Sequence, residues 1–232
     1  MSRERELAYE VIRSQRRTAD IVIEPDGRVV VRAPSGVSEE CIEDMVRAKQ
    51  AWIYKNLAEW RDLNSTRVFR DYRNGEGFMY LGRSYRLLLV AGSAAPLQLR
   101  NGRFWLSRDI VEDGGEMAAR LAFQSYLSIK GLEWISKRVH YYAPKAGVEP
   151  GRIDIRELKN RWASCAASRN LVFHWKCMMA PAKIIDYIVV HELCHFHYLD
   201  HSTAFWNELD KILPDYRERK DWLAKNGASL DL

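Results

Sequence analysis

Short runs in which apolar and polar residues alternate, separated by turn residues, dominate the first half of the chain. Alternation of this kind predicts β-strands with one buried face. Turn residues at Pro25-Asp26-Gly27, Gly82-Arg83-Ser84 and Asn101-Gly102 predict three hairpins. The strands predicted beside these turns are residues 20–24 with 28–32, 78–81 with 85–90, and 97–100 with 104–107.

Helical spacing of apolar residues marks the segments between and after these strands. A helix is predicted from Ser38 to about residue 63, and a long helix over residues 117–142, closed by Pro144 and Gly147. Strands are then predicted over residues 152–157 and 170–175, with a loop over residues 159–169. Two helices follow, separated at residues 200–202. This order predicts an α+β fold instead of a wound parallel sheet.

The change from strands to long helices after Asp113-Gly114-Gly115 predicts two regions. Residues 1–114 would be strand-rich with one inserted helix. Residues 115–232 would hold a motif helix and a short mixed sheet. The two regions could equally form one continuous compact unit, because 232 residues suffice for one large domain or two small ones.

Composition and charge narrow the class of protein. The chain is 47% hydrophobic and 29% charged, and it lacks an apolar run near the roughly 18 residues of a membrane-spanning helix. Residues 1–17 mix Arg and Glu and do not resemble a secretion signal. The four cysteines, at 41, 165, 177 and 194, form no close pair. We therefore expect a cytoplasmic protein with reduced thiols and no membrane partner.

The residues His191-Glu192-Leu193-Cys194-His195 carry the candidate chemistry. They follow Pro181, which suits a first helical turn, and an apolar periodicity that predicts one continuous helix. At about 100° per residue, His191 and His195 point within about 40° of each other. Glu192 lies about 60° beyond His195, close enough to reach water at a shared metal but poorly placed as a ligand.

A catalytic zinc site needs a third protein ligand and one open position. His201 is the first candidate, since Asp200 and Ser202 suggest that the helix ends there and that the chain turns back. Glu208 on the following helix is the alternative, because some zinc peptidases use a carboxylate. The sequence thus predicts Zn²⁺ as cofactor, with Glu192 as general base for a metal-activated water.

Other nearby side chains are interpreted as structural. His197 projects about 140° from the midpoint of the two ligands, and Cys194 about 80° from it. His140 and His174 are interpreted as ordinary histidines, and the tryptophans as core or groove-lining residues. Arg161 and Tyr198 are named only as candidates for stabilising an oxyanion.

The segment from Val189 to His195, together with His201 and Phe205-Trp206, resembles the YgjP-like metallopeptidases, relatives of the SprT-like and WLM families. Residues 161–165 are similar to the Trp-Gly-Ser-Cys loop of that family, although Ala163 replaces its usual Gly and His174 stands where Asn is frequent. Residues 214–216 and 220–223 resemble its closing helix. The resemblance implies a minigluzincin-like fold with three zinc-binding histidines at 191, 195 and 201 and a catalytic carboxylate at 192.

Three functions are compatible with these residues. The first is a zinc peptidase acting on peptides or unfolded protein segments, with residues 170–175 as the strand that pairs with an extended substrate. The second is a metal-dependent hydrolase of nucleoside triphosphate phosphoanhydride bonds. The third is a nucleic-acid-associated protease of the SprT-like kind. The charge of +5 is spread along the chain, which argues against this third function.

Overall fold

The structure, a computed structural model, describes residues 7–15, 18–23, 29–50, 53–54, 70–158, 161–166, 168–199 and 201–232. These residues divide into two units, one within Met1–Thr66 and the other within Arg67–Leu232. Among the described residues, none of the helices is both long and apolar enough to cross a membrane.

The first unit is a three-stranded mixed sheet with one helix. Strand β3 (Val29–Pro34) pairs in parallel with β1 (Tyr9–Ser14) and antiparallel with β2 (Asp20–Ile23). This confirms the first predicted hairpin, whose turn lies outside the described residues. Helix α1 (Glu39–Ala48) begins at Ser38, as predicted, and the Ser38 hydroxyl accepts a hydrogen bond from the Cys41 amide. Of the remainder predicted to be helical up to residue 63, only residues 49, 50, 53 and 54 are described.

The second unit opens with a four-stranded sheet, in the order β4-β5-β7-β6. Its strands are β4 (Gly77–Tyr80), β5 (Arg83–Val90), β6 (Leu97–Arg100) and β7 (Arg103–Ser107). The antiparallel pairs β4–β5 and β6–β7 confirm the other two predicted hairpins, and β5 runs parallel to β7.

Helix α2 (Arg108–Tyr142) begins directly after β7 and is interrupted at Gly115, and its long second part confirms the helix predicted over residues 117–142. The first part of α2, residues 108–114, was not predicted to be helical. Gly115, at φ 64° and ψ −160°, breaks the helical geometry between the two parts. Beyond the break, residues at every fourth position face the core, namely Ala119, Phe123, Leu127, Gly131, Ile135 and Val139.

A second, smaller sheet lies in the same unit. Strand β10 (Leu171–His174) pairs in parallel with β8 (Ile153–Arg156) and antiparallel with β9 (Ala163–Cys165). Strand β9 falls within the segment predicted to be a loop, because three residues are too few to show alternation. The prediction that residues 170–175 pair with a substrate strand is wrong, since β10 is the central strand and both its edges are occupied.

Three helices complete the second unit and confirm the α+β class. They are α3 (Ala182–Cys194), α4 (Thr203–Ile212) and α5 (Tyr216–Asn226). Helix α3 ends at Cys194, earlier than the predicted position near residue 200. Residues 184–190 of α3 are all buried, including Asp186. The Asp186 carboxylate accepts hydrogen bonds from the Arg138 guanidinium of α2 at 2.6 and 2.8 Å, which fixes α3 against α2.

Candidate metal centre

The last turn of α3 brings two imidazoles together. His191 lies within the helix and His195 occupies its C-cap position with helical backbone angles. Their Nε2 atoms are 3.2 Å apart and their ring centroids 4.8 Å apart. Because residues four apart lie on one helical face, the spacing of the two histidines alone produces this approach.

His201 lies just before α4, whose N-cap is Ser202. Residues 195–197 leave the helix in a turn, and the chain returns so that Nε2 of His201 lies 3.0 Å from Nε2 of His191. Candidate donor atoms of all three histidines lie within 4.8 Å of one another. The structure therefore brings together the three residues predicted as ligands.

These imidazoles fit a tetrahedral metal ion. Two nitrogens bound to one zinc at about 2.0–2.1 Å lie about 3.3 Å apart, close to the 3.0 and 3.2 Å observed for the two pairs that include His191. His195 also donates from Nδ1 to the Tyr198 carbonyl at 2.9 Å. With the proton held at Nδ1, Nε2 keeps its lone pair for a metal.

The surroundings of His191 keep its ring neutral. Burial, followed by electrostatic repulsion from the neighbouring His195 and His201 rings and from Lys220, which disfavours a proton on His191, lowers the pKa of His191 to about 3. Its Nδ1 is buried and has no hydrogen-bond partner among the described residues. Packing of aromatic rings orients it instead, with the Phe205 ring 4.9 Å away between centroids. A neutral imidazole is the form that binds metals.

Glu192 lies beside this cluster with its side chain largely buried. Burial raises the pKa of its carboxyl to about 7, whereas the charge of Arg161 and a hydrogen bond from the Cys165 amide act in the opposite direction. The Cys165 amide belongs to β9, so the edge of the small sheet holds the carboxylate in place. A carboxylate with a pKa near 7 can both accept and return a proton at neutral pH.

Phe205, fully buried on α4, forms the floor of the site. Its ring centroid lies 4.8 to 4.9 Å from those of all three histidines. The next residue, Trp206, stacks on His201 at 5.5 Å, and Tyr216 of α5 stacks on Trp206 at 5.5 Å. Helices α4 and α5 thus support the third histidine through a column of aromatic rings.

Comparison with known proteins identifies the family. A family model described as the YgjP-like metallopeptidase domain matches residues 17–226, most of the chain. The chain belongs to the YgjP-like family. Membership supports a metal-dependent peptidase and therefore a hydrolase.

Comparisons with curated proteins and with solved structures give less information about this YgjP-like chain. No curated protein matches its sequence. A solved structure, the metallopeptidase zymogen abylysin of Pyrococcus abyssi, is similar at 22% identity and a TM-score of 0.35. That similarity covers 38% of this chain and 89% of the abylysin chain.

The side chains that the sequence placed near the motif or left as structural are bonded to other groups of this YgjP-like domain or buried in it. Glu208 binds Lys211 at 2.8 Å, His197 donates to the Ala146 carbonyl at 2.8 Å, and Cys194 is buried. His140 approaches the Ser136 carbonyl at 2.6 Å, and His174 lies 3.2 Å from the Glu157 carboxylate. Within the described ranges, no other group of three such donors could hold a metal ion.

Several contributors to the site were not assigned a role from the sequence. They are the Cys165 amide that binds Glu192, the Phe205 ring beneath the histidines, and Lys220, which adds positive charge near His191. Phe205 entered the sequence analysis as part of the resemblance to the YgjP-like family. Its contact with three imidazoles depends on tertiary packing, which has no local signal in the sequence.

Proposed function

We propose that this chain is a zinc-dependent metallopeptidase that hydrolyses peptide bonds, with His191, His195 and His201 as zinc ligands and Glu192 as general base. The observation that carries the proposal is the convergence of three Nε2 atoms, two of them 3.0 and 3.2 Å from the third. Family membership supports the reaction class.

Different residues of the chain would have different roles in hydrolysis. Zinc, when bound, supplies Lewis acidity toward a carbonyl and toward water. The Glu192 carboxylate, oriented by the Cys165 amide, would accept a proton from the attacking water and deliver it to the leaving amine nitrogen. The Tyr198 carbonyl would hold the proton of His195 on Nδ1 throughout.

We propose β9 as the strand that binds the substrate backbone. Hydrogen bonds from the Ala166 amide to Asn170, and from the His174 amide to Trp162, show which residues of this ladder pair with β10. By the alternation of an antiparallel ladder, Ala163 and Cys165 direct their backbone groups away from β10. The Cys165 amide meets Glu192, which leaves the Ala163 amide and carbonyl for an extended peptide.

Zinc content and peptidase activity of matched variants test the proposed function. The purified protein should bind zinc and cleave an unfolded casein-type substrate, and chelation should abolish cleavage. Glu192→Gln should keep its zinc while activity falls about 100-fold or more, as expected for loss of a general base. Full activity in Glu192→Gln, or in the chelated protein, would reject the mechanism.

Substitution of Ala163 tests the role of β9. Ala163→Pro removes the outward amide, so KM for peptides should rise about tenfold from loss of one hydrogen bond, and, because Ala163 is buried, unchanged zinc content and an unchanged unfolding midpoint are required of the variant. Ala163→Gly, which keeps the amide, is the control. Equal KM values in the two variants would exclude pairing at this edge.

Hydrolysis of nucleoside triphosphates is a second candidate. It is favoured by Arg161, whose charge acts on Glu192 and whose guanidinium could bind a phosphate. Release of phosphate or pyrophosphate from nucleotides by the zinc-loaded protein, without peptide cleavage, would favour this reaction. A nucleic-acid-associated role and a cytoplasmic location stay predictions, the latter supported by four free cysteines.

A further inference from the structure

Two cations lie near the candidate site, Lys220 beside the histidine cluster and Arg169 beside the residue that follows His195. Lys220 of α5 places its Nζ 4.5 Å from the centroid of Trp206, the ring that stacks on His201. Arg169, in the turn between β9 and β10, places its guanidinium 5.8 Å from the ring of Phe196, the residue after His195. Each cation also interacts electrostatically with a residue at the site. Lys220 interacts with the His191 ring, and Arg169 with the thiol of Cys165, the residue whose amide binds Glu192.

Neither cation is neutralised by the protein. Both residues are exposed, and neither forms an ion pair with an acidic side chain within the described parts of the chain. Aromatic rings hold both in place through cation–π contacts, which position a charge without cancelling it. By contrast, the nearby Lys211 and Arg219 are paired with Glu208 and Asp215.

The backbone at Arg169 is in the left-handed conformation, with φ at +61°. Leu81 and Asn101, at the turns of two hairpins, have the same conformation, which suits glycine. Glycine is therefore a substitution at position 169 that removes the cation and keeps the turn.

We propose that Lys220 and Arg169 bind carboxylate groups of the substrate, so that the enzyme selects acidic peptide segments. This inference rests on the proposed peptidase function and names its substrate class. The carboxylates are either Asp and Glu side chains that flank the scissile bond or the free C-terminus of the peptide. The net charge of +5 would also favour the approach of acidic chains.

Cleavage of matched peptides by the zinc-loaded, full-length protein tests this selection. Three peptides of one length carry Glu, Gln or Lys at the positions flanking the bond, each with a free or an amidated C-terminus. The Glu peptide should have a kcat/KM about fivefold or more above the Gln peptide, and the Lys peptide a lower value still. The preference should weaken at high salt. A preference that depends on the free C-terminus alone assigns the carboxylate to the chain end.

Variants of the two cations connect the preference to these residues. Lys220→Gln should lower the ratio of Glu to Gln peptide cleavage about threefold, and Lys220→Glu should shift the preference toward the Lys peptide. Arg169→Gly should lower the same ratio without lowering the unfolding midpoint, since glycine suits the left-handed turn. Lys137→Gln, which removes an exposed lysine of α2, should leave the ratio unchanged.

Measurements of peptide binding distinguish failure of this inference from failure of the proposed peptidase function. Zinc-loaded Glu192→Gln should bind the Glu peptide about fivefold more tightly than the Gln peptide, whether or not the wild type cleaves either. Cleavage with equal values for all peptides would overturn the inference and leave the peptidase function intact. Hydrolysis of nucleoside triphosphates with no acidic-peptide preference in binding would overturn both.

Discussion

At the scale of single residues, the site depends on imidazoles whose orientation is set by neighbours of different kinds. The Tyr198 carbonyl orients His195, whereas the rings of Phe205 and Trp206 orient His191 and His201. Ligands that are held in place lose less conformational freedom when they bind a metal, and groups that orient ligands affect metal affinity strongly. Phe205 is therefore a positioning residue whose effect can be measured apart from folding.

Phe205→Leu should lower the free energy of unfolding by about 1–2 kcal/mol through lost core packing and weaken zinc binding about tenfold through loosened imidazoles. Phe123→Leu is the matched control, since Phe123 is also buried but stacks on Phe78 at 4.2 Å. It should show a similar loss of stability with unchanged zinc affinity, measured by denaturant unfolding and chelator competition. Equal effects of the two variants on zinc would contradict the positioning role.

At the scale of elements, two contacts fix the motif helix α3. The first is the pairing of Arg138 with Asp186, to which the Tyr142 hydroxyl also donates at 3.1 Å. The second is the turn between β4 and β5, where the amides of Leu81 and Gly82 bind the carbonyls of Met178 and Met179, just before α3. These contacts position the start and the middle of α3, while the histidines lie at its end.

Asp186→Asn should lower the free energy of unfolding by about 2 kcal/mol, because it leaves the partly buried Arg138 guanidinium without its charged partner. Glu133→Gln, which disrupts exposed pairs with Lys130 and Lys137, should have a much smaller effect. Urea unfolding of both variants measures the difference. Similar values would show that the Arg138 pair adds little to the docking of α3.

Gly82→Ala should destabilise the protein by about 2 kcal/mol or more, since a Cβ would lie 2.7 Å from the Pro181 backbone at φ +76°. Gly92→Ala is the control, because Gly92 has a similar φ of +66° but open space around it. Its cost should be about 1 kcal/mol, from the left-handed backbone alone. Thermal unfolding of the two variants compares them, and a smaller loss at Gly82 would argue against close packing there.

The sequence predicted those elements whose signals are local. Hairpin turns at Gly82 and Asn101 and the helical spacing around His191 correctly indicated strands and a motif helix. Strand β1 was not predicted. Its apolar residues Val11 and Ile12 are adjacent and both exposed, so the segment lacks the alternation of apolar and polar residues that marks a strand with one buried face. The order β8-β10-β9 could not be predicted either, since neighbours in a sheet are decided by tertiary packing. For the same reason, Lys220 and the Cys165 amide were not connected with the site.

At the scale of the whole molecule, the site belongs to the unit within Arg67–Leu232. Its core is one continuous cluster that includes Phe78 and Phe104 of the four-stranded sheet, Phe123 of α2 and Val189 of α3. The sheet and the motif helix therefore share one hydrophobic core, whereas Val29, Val31 and Ile42 form a separate cluster within Met1–Thr66.

A chain of residues 67–232 should fold and bind zinc, because it retains that whole cluster. A chain of residues 115–232, which begins at the boundary predicted from the sequence, should not fold, since it would expose Ala119, Phe123 and Leu127 to water. Circular dichroism and zinc content distinguish the two chains. Stable folding of residues 115–232 would show that the four-stranded sheet is dispensable.

The zinc affinity of His201→Gln compared with that of Glu208→Gln tests the central claim most directly. Both residues were candidates for the third ligand, but only His201 lies with the other two histidines, whereas Glu208 is paired with Lys211. The dissociation constant for zinc should rise about 100-fold or more in His201→Gln and stay within about threefold of wild type in Glu208→Gln. The reverse result would contradict a centre of three imidazoles.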